Sequence, residues 1–146
     1  MDDRIRRLKT PAECDIFGRN ASGKGYQDLA AEALQRKVQL LAETHQPASE
    51  VERDALQAIY AYEEILRMKH GRNQRAQRTW GAVERKGILA ALEGFVDRPD
   101  GQAGFTKLKD IGLHNFAFEA VVLRHPDKFS ASTVRRAEER MAMFAA

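Results

Sequence analysis

Apolar side chains recur at three- and four-residue intervals through most of this chain, a pattern that predicts a succession of amphipathic α-helices. The longest such segment, residues 50–70, has a wide apolar arc and a narrow polar stripe of Arg53, Gln57 and Glu64. A helix that is apolar around most of its circumference is buried on most sides. We therefore predict that this helix is the central element of the core, with Glu64 on its polar stripe.

Further helices are predicted wherever the same periodicity continues between turn residues. Their approximate spans are 10–20, 27–45, 74–86, 88–96, 105–111, 115–124 and 130–144. Turn residues make 97–104 the clearest predicted loop, and residues 1–9 predict a polar lead-in. The segment 115–124 is apolar nearly all round, which predicts a buried helix, although its Val121-Val122 pair leaves a strand as an alternative.

No segment shows the sustained alternation of apolar and polar positions that is typical of a strand. The fold is therefore predicted to be all-α, a compact multi-helix domain of about seven or eight helices. One domain is expected to span residues 1–146, because a chain of 146 residues can bury a core without disulfides or metal. Within it, an N-terminal helical hairpin over 11–45 is expected to pack on a helical core over 50–146.

The composition agrees with a helical globular protein. Hydrophobic residues make up 43% of the chain and charged residues 31%, while proline and glycine are sparse. The single cysteine, Cys14, excludes an internal disulfide and favours a reducing compartment. The first residues lack the apolar run of a signal peptide, and no apolar stretch approaches the ~18–20 residues of a membrane span. We therefore expect a cytoplasmic protein with no membrane contact.

The positive charge of the chain is concentrated in residues 69–86. This segment contains six Lys and Arg side chains and one acid, Glu84, whereas the whole chain has a net charge of only +3. The rest of the sequence is therefore slightly acidic, and the basic segment is the part of the chain that would attract an anionic partner.

The spacing of the arginines predicts an amphipathic basic helix. At about 100° per residue, Arg75, Arg78 and Arg85 fall within an arc of roughly 80°, and Trp80 lies on the other side. The planar fork of arginine suits phosphate groups, so the leading interpretation is a non-enzymatic protein or accessory domain that binds nucleic acid, with DNA as the expected ligand. The predicted contact surface consists of Arg72, Arg75, Arg78, Arg85 and Lys86. Binding would be mainly to phosphates, and Trp80 is predicted to be a core residue rather than a platform for base stacking.

Other interpretations of the basic face remain open. It could bind an acidic protein partner, or it could be a solvated surface whose arginines pair with acids of neighbouring helices. The competing function is a helical protein-interaction or regulatory module that uses this face or the hairpin 11–45. The segment also permits a helix-turn-helix, but that motif usually places its basic reading helix second, whereas here the basic helix precedes an apolar one. Sequence-specific reading is therefore not predicted.

Residues 18–24 match the front of a phosphate-binding loop, GxxxxGK, and Gly25 follows the match. Gly25 replaces the Ser or Thr that binds magnesium in such loops, and the residues before Gly18 predict a helix rather than a buried strand. We therefore predict a helix–helix turn here, with Lys24 as the one residue whose substitution would test nucleotide binding.

Two carboxylates, Glu63 and Glu119, are predicted to project from apolar helix faces. Paired carboxylates in helical bundles can perform acid–base or metal chemistry, but the di-iron pattern needs a His three residues after the Glu, and neither has one. We predict instead that each accepts hydrogen bonds that fix the packing of helices, with Arg72, Arg124 and Tyr60 as possible donors.

No cofactor or metal site is predicted. The four histidines are scattered along the chain, and a single cysteine gives no zinc-ligand spacing. Cys14 has no obvious base nearby and is interpreted as a small core residue rather than a nucleophile. The overall pattern is similar to that of small bacterial helical domains, a general likeness that assigns no site residues and leaves the oligomeric state open.

Overall fold

The computed structural model describes residues 1–98 and 102–145, and this part of the chain contains nine α-helices, two short 3₁₀-helices and no strand. The prediction of an all-α fold is therefore confirmed. The α-helices are α1 (Asp3–Arg6), α2 (Pro11–Gly23), α3 (Gln27–Glu43), α4 (Glu50–His70), α5 (Gln77–Lys86), α6 (Ile88–Asp97), α7 (Gln102–Asp110), α8 (Phe118–Arg124) and α9 (Ala131–Ala145). The 3₁₀-helices are His114–Phe116 and Pro126–Lys128.

Helix α4 is the central element, as predicted. The Ser49 side chain caps its first turn by accepting a hydrogen bond from the Glu52 N–H at 3.2 Å, and Gly71 ends it in the left-handed conformation. The N-terminal half of α4 packs in an apolar cluster with α6, α8 and α9. Its C-terminal half packs in a second cluster with α3, α7 and the residues around Leu113. One helix therefore joins both halves of the core.

The N-terminal hairpin consists of α2 packed against α3. The hydroxyl of Thr10 accepts the Glu13 N–H at 3.1 Å, and Pro11 occupies the first helical position, so α2 begins where the sequence predicts. It continues to Gly23, past the predicted end near residue 20. The polar lead-in predicted for residues 1–9 is wrong in part, because α1 forms there and buries Ile5 completely.

The C-terminal helices are joined by a buried ion pair. Arg140 of α9 donates to Glu119 of α8 at 3.1 Å, and both side chains are nearly inaccessible to solvent. Arg140 also donates to the backbone carbonyl of Arg98. The charged residues around Arg140 in the sequence predict that it lies on the solvated face of the last helix, and that prediction is wrong. A buried carboxylate on α8 requires a cationic partner, and Arg140 is the residue that reaches it.

Several predicted boundaries shift in the structure. Helix α8 begins at Phe118 rather than 115, because a 3₁₀-helix occupies the preceding residues, and no strand forms at Val121-Val122. The predicted loop 97–104 is shorter than expected, since α6 reaches Asp97 and α7 starts at Gln102. Residues 99–101 of that predicted loop lie outside the described residues.

Gly112 is a point of close approach between the end of α7 and α3. It has a φ of 78°, and a Cβ atom added there would lie 2.6 Å from the Cβ of Ala31. Its carbonyl accepts a hydrogen bond from Gln35 at 3.0 Å, which holds the two backbones together. A side chain at this position would therefore meet both backbone strain and a steric clash with α3.

We predict that Gly112→Ala destabilises the protein much more than Gly25→Ala. Gly25 has a similar φ of 84° but open space around it, so it isolates the strain of the left-handed backbone, about 1–2 kcal/mol. The clash with Ala31 should add about 1–3 kcal/mol at Gly112. Urea unfolding of both variants measures the difference, and equal losses would contradict the close packing on α3.

Candidate functional site

The basic segment leaves α4 at Gly71 and runs without regular structure before α5 begins. Arg72 and Arg75 lie in this irregular stretch, so the helix predicted from residue 74 is wrong over its first three residues. The cause is Glu63 of α4, whose Oε2 accepts the Ala76 N–H and the Trp80 Nε1–H, both at 2.8 Å. Glu63 thereby acts as a cap supplied by a neighbouring helix, and α5 starts after the residue that it binds.

Trp80 anchors α5 to the core, in agreement with its predicted role. Its ring stacks on His45 at a centroid distance of 5.4 Å, and the Tyr60 ring lies 5.3 Å away at a tilt of 58°. The Arg75 guanidinium lies 5.4 Å from the centroid of the same ring. Arg75 is also 3.9 Å from Glu63, so this arginine contributes to the anchor although most of its side chain is exposed.

Helices α5 and α6 form a hairpin around Gly87, and a groove of about 280 Å³ lies between them. We call it the basic groove; its charged lining consists of Arg78, Arg85, Lys86 and Arg98. Three of these four are residues that the sequence predicted for a contact surface. The other two predicted residues, Arg72 and Arg75, do not line it.

Arg98 belongs to the basic groove but was not predicted from the sequence. It follows α6 directly and lies in a turn cluster, more than ten residues after the end of the basic segment. Only the antiparallel return of α6 along α5 brings it beside Arg78 and Arg85. The one signal in the sequence was Gly87 between two short helical patterns, which indicates a hairpin and hence a shared groove.

Within the part of the chain that the structure describes, no carboxylate is paired with the basic groove. None of its four cations forms an ion pair with any residue of the described part of the chain, and all four side chains are exposed. Arg98 lies 5.3 Å from the centroid of the Phe95 ring, and the Lys86 amine lies close over Gly94, where a Cβ would be 3.2 Å away. Like charges held close together without counter-charges create a positive potential that favours an anion.

A second group of charges lies beside a cleft of about 630 Å³ between the N-terminal hairpin, α4 and the end of α7, and three of its members, Asp15, Glu64 and Arg67, line that cleft. Lys37 is buried on α3, with its amine 3.0 Å from Asp15 and 2.5 Å from Glu64. Arg67 donates to the same two carboxylates at 3.0 and 3.4 Å. These four residues, which we call the hairpin network, form a closed set of two cations and two anions that joins α2, α3 and α4.

Sequence reasoning missed the hairpin network and placed Glu64 on a polar stripe, which is wrong, since Glu64 is 5% exposed. A signal was present: at about 100° per residue, Lys37 occupies the inner, apolar face of α3 between Ala33 and Leu34. A lysine at such a position requires carboxylate partners, because an unpaired buried ammonium is very unfavourable. The sequence does not say which of its many acids supply them.

The hairpin network sets the protonation of Asp15. Burial alone would raise the pKa of this carboxyl, but hydrogen bonds from Lys37 and Arg67 outweigh it and hold the pKa below its usual 3.8. The adjacent Cys14 has only 2% exposure, and burial raises its thiol pKa. A buried thiol that remains protonated is a poor nucleophile, which agrees with its predicted role in the core.

Glu63 and Glu119 have separate partners, and none of the three main cavities formed by the described residues is lined by both. Both accept hydrogen bonds between helices, as predicted, but from Ala76, Trp80 and Arg140 rather than from the donors the sequence suggested. Within the described ranges, no group of three or more His, Cys, Asp and Glu side chains is placed to hold a metal ion. No helix described by the structure is long and apolar enough to cross a lipid bilayer.

The GxxxxGK segment forms the end of α2 and the turn that follows, not a phosphate loop. Gly18 and Gly23 lie within the helix, and the Lys24 N–H donates to the carbonyls of Asn20 and Ala21. These backbone groups are therefore used within the helix and cannot surround a phosphate. The predicted helix–helix turn is confirmed.

Comparison of the chain with protein-family models, with curated proteins and with solved structures finds no significant match. The chemistry of the chain's own side chains is therefore the basis for a functional proposal.

We predict that Glu63→Ala lowers the free energy of unfolding by about 1–3 kcal/mol, because it leaves the Ala76 and Trp80 N–H groups without their acceptor. The effect on ligand binding should be smaller than the effect on stability, since Glu63 does not line the basic groove. Thermal unfolding followed by circular dichroism measures the change. An unchanged melting temperature would show that Glu63 does not hold α5 in place.

The stability of the protein should fall in acid through Asp15. A carboxyl whose pKa is lowered by folding stabilises the native state above its unfolded pKa, and this contribution is lost as the pH falls through the lower folded value. The free energy of unfolding of Asp15→Asn should therefore be lower than that of the wild type at neutral pH, and the two values should converge toward about pH 3. Urea unfolding across this pH range measures the difference. Asp28→Asn, an exposed carboxylate on α3 outside the network, is the control and should keep the wild-type pH profile. A gap between Asp15→Asn and wild type that is independent of pH would contradict the assignment.

Proposed function

We propose that this protein binds nucleic acid without catalysing a reaction on it, by holding phosphate groups in the basic groove. The observation that supports the proposal is the convergence of Arg78, Arg85, Lys86 and Arg98 on one groove with no described carboxylate paired to them. Phosphate is the anion that best matches several guanidinium forks at once.

The dimensions of the groove favour a polymer backbone over a single anion. Arg78 and Arg85 are seven residues apart on α5, which corresponds to about 10 Å along the helix axis. Successive phosphates of one DNA strand advance by about 3.4 Å, so the two arginines would contact different phosphates. Contacts of this kind position a nucleic acid without reading its sequence.

Arg72 and Arg75 would extend the contact surface beyond the groove. Arg72 is exposed in the irregular stretch before α5, where its side chain can follow a backbone. Arg75 would contribute less than the groove residues, because its guanidinium already lies over Trp80 and near Glu63.

The proposal includes a cytoplasmic location. Its support is that the single cysteine, Cys14, is buried as a free thiol, which fits a reducing compartment.

A helical protein-interaction module is the second candidate function. It is favoured by two large apolar side chains on the N-terminal hairpin, Ile16 and Tyr26, which are 54% and 57% exposed. A partner held by these residues would survive high salt, because apolar contacts are not screened as ion pairs are. A nucleic acid held by phosphate contacts would be released.

We predict that the combined reversal Arg78→Glu, Arg85→Glu and Lys86→Glu abolishes nucleic-acid binding, measured by fluorescence anisotropy with mixed-sequence DNA and RNA. For the wild type, four phosphate contacts give a slope of log affinity against log salt of about −3 to −4. Arg98→Gln alone should reduce that slope by about 1.

The matched control reverses three exposed cations outside the groove, Lys24, Lys128 and Arg135, and so has the same net charge as the groove variant. It should retain most of the wild-type affinity. Equal loss in both triple variants would mean that only the overall charge matters. Absence of binding by the wild type at low salt would refute the proposed function.

A further inference from the structure

An aromatic hollow of about 250 Å³ adjoins the basic groove. It lies between α4, α6, α7 and α8, and its apolar lining includes Tyr62, Phe95, Phe105, Leu108 and Phe118. The Phe95 and Phe118 rings are 5.3 Å apart between centroids with a 32° tilt, and Tyr62 lies 6.2 Å from Phe118. These three rings are only partly buried, so the hollow presents aromatic surface to solvent.

The aromatic hollow and the basic groove have a common wall. Phe95 and Arg98 line both, and the Arg98 guanidinium lies 5.3 Å from the Phe95 ring centroid. Two further cations, Lys69 and Lys107, line the hollow itself. The two cavities are therefore neighbours, one mainly aromatic and the other cationic, on either side of the Arg98–Phe95 pair.

This juxtaposition matches the two halves of an unpaired nucleotide. A nucleobase is flat and stacks on aromatic rings and guanidinium planes, while its phosphate carries the negative charge that the groove would bind. The hollow is somewhat smaller than the ~300 Å³ at which drug-sized sites begin, so it suits one ring system rather than a larger ligand.

We propose that the aromatic hollow receives an unpaired nucleobase whose phosphate lies in the basic groove, so that the protein binds single-stranded nucleic acid in preference to duplex. This inference rests on the proposed function and specifies its ligand. A base in a duplex would have to leave its stack to enter the hollow, at a cost of a few kcal/mol, whereas an unpaired base is already available. Trp80 takes no part, because it lines neither the aromatic hollow nor the basic groove.

The first test uses the wild-type protein and three ligands of equal length: a mixed-sequence single strand, the same strand with abasic sites, and a blunt duplex. The abasic strand keeps every phosphate but has no bases to insert. We expect the intact single strand to bind about tenfold to a hundredfold more tightly than the abasic strand. This comparison needs no variant and is independent of any folding defect.

The second test substitutes Phe95→Leu, which keeps apolar volume but removes the flat ring. It should weaken binding of the intact single strand by about tenfold and binding of the abasic strand much less, because any loss of support for Arg98 affects both strands alike, whereas loss of base stacking affects only the intact strand. Phe17→Leu is the matched control, since Phe17 is also a partly buried ring with an arginine over it, Arg4 at 6.0 Å, but on α2 outside the site. That variant should bind both strands as the wild type does.

The outcomes separate this inference from the proposed function. If all three ligands bind equally with a steep salt slope, the groove binds phosphate alone and base insertion is wrong, while the proposed function stands. If no ligand binds at low salt, both are wrong. If Phe95→Leu weakens the intact and abasic strands equally, Phe95 only supports Arg98, and insertion of a base beside it is refuted.

Discussion

Two adjacent carboxylates on α4, Glu63 and Glu64, organise much of this structure. Neighbouring positions on a helix project about 100° apart, so the two side chains face different parts of the molecule, and neither is freely solvated there. Glu64 meets the buried Lys37 of α3 together with Arg67. Glu63 meets the backbone N–H of Ala76, just before α5, and the indole N–H of Trp80 within α5. The requirement that a buried carboxylate find donors thus ties the N-terminal hairpin and the basic helix to the same central helix.

The direction of the basic groove follows from the contact with Glu63. Because Glu63 binds both the backbone before α5 and the indole of Trp80, it sets the start of α5 and its rotation about its own axis. With Trp80 held against the core, Arg78 and Arg85 point toward α6, and the hairpin at Gly87 returns Arg98 to the same place. Glu63 therefore supports the helix that carries Arg78 and Arg85 without lining the groove itself.

The proposed ligand depends on how polar and aromatic surfaces meet at Phe95 and Arg98. A cationic groove alone would favour any polyanion, and an aromatic hollow alone would favour any flat apolar group. Because Phe95 and Arg98 line both cavities, the best match is a molecule in which a flat ring system lies next to a negative charge.

The hairpin network has the opposite character. Its two cations and two anions satisfy each other, so we interpret it as a clamp between helices rather than a binding site.

The sequence alone determined the helical class, most helix starts and the central position of α4, because caps and apolar periodicity are local properties of the chain. Thr10-Pro11 and Ser49 begin helices, and Gly71 ends one, at the boundaries that the helical spans predict. The sequence also grouped Arg78, Arg85 and Lys86 in one predicted contact surface, because all three lie on one helix. Only the tertiary structure decided that Arg98 joins them, that Arg75 lies over Trp80, and that Lys37, Glu64 and Arg140 are buried with partners. These outcomes depend on which distant side chains packing brings within hydrogen-bonding reach, and helical periodicity contains no information about that.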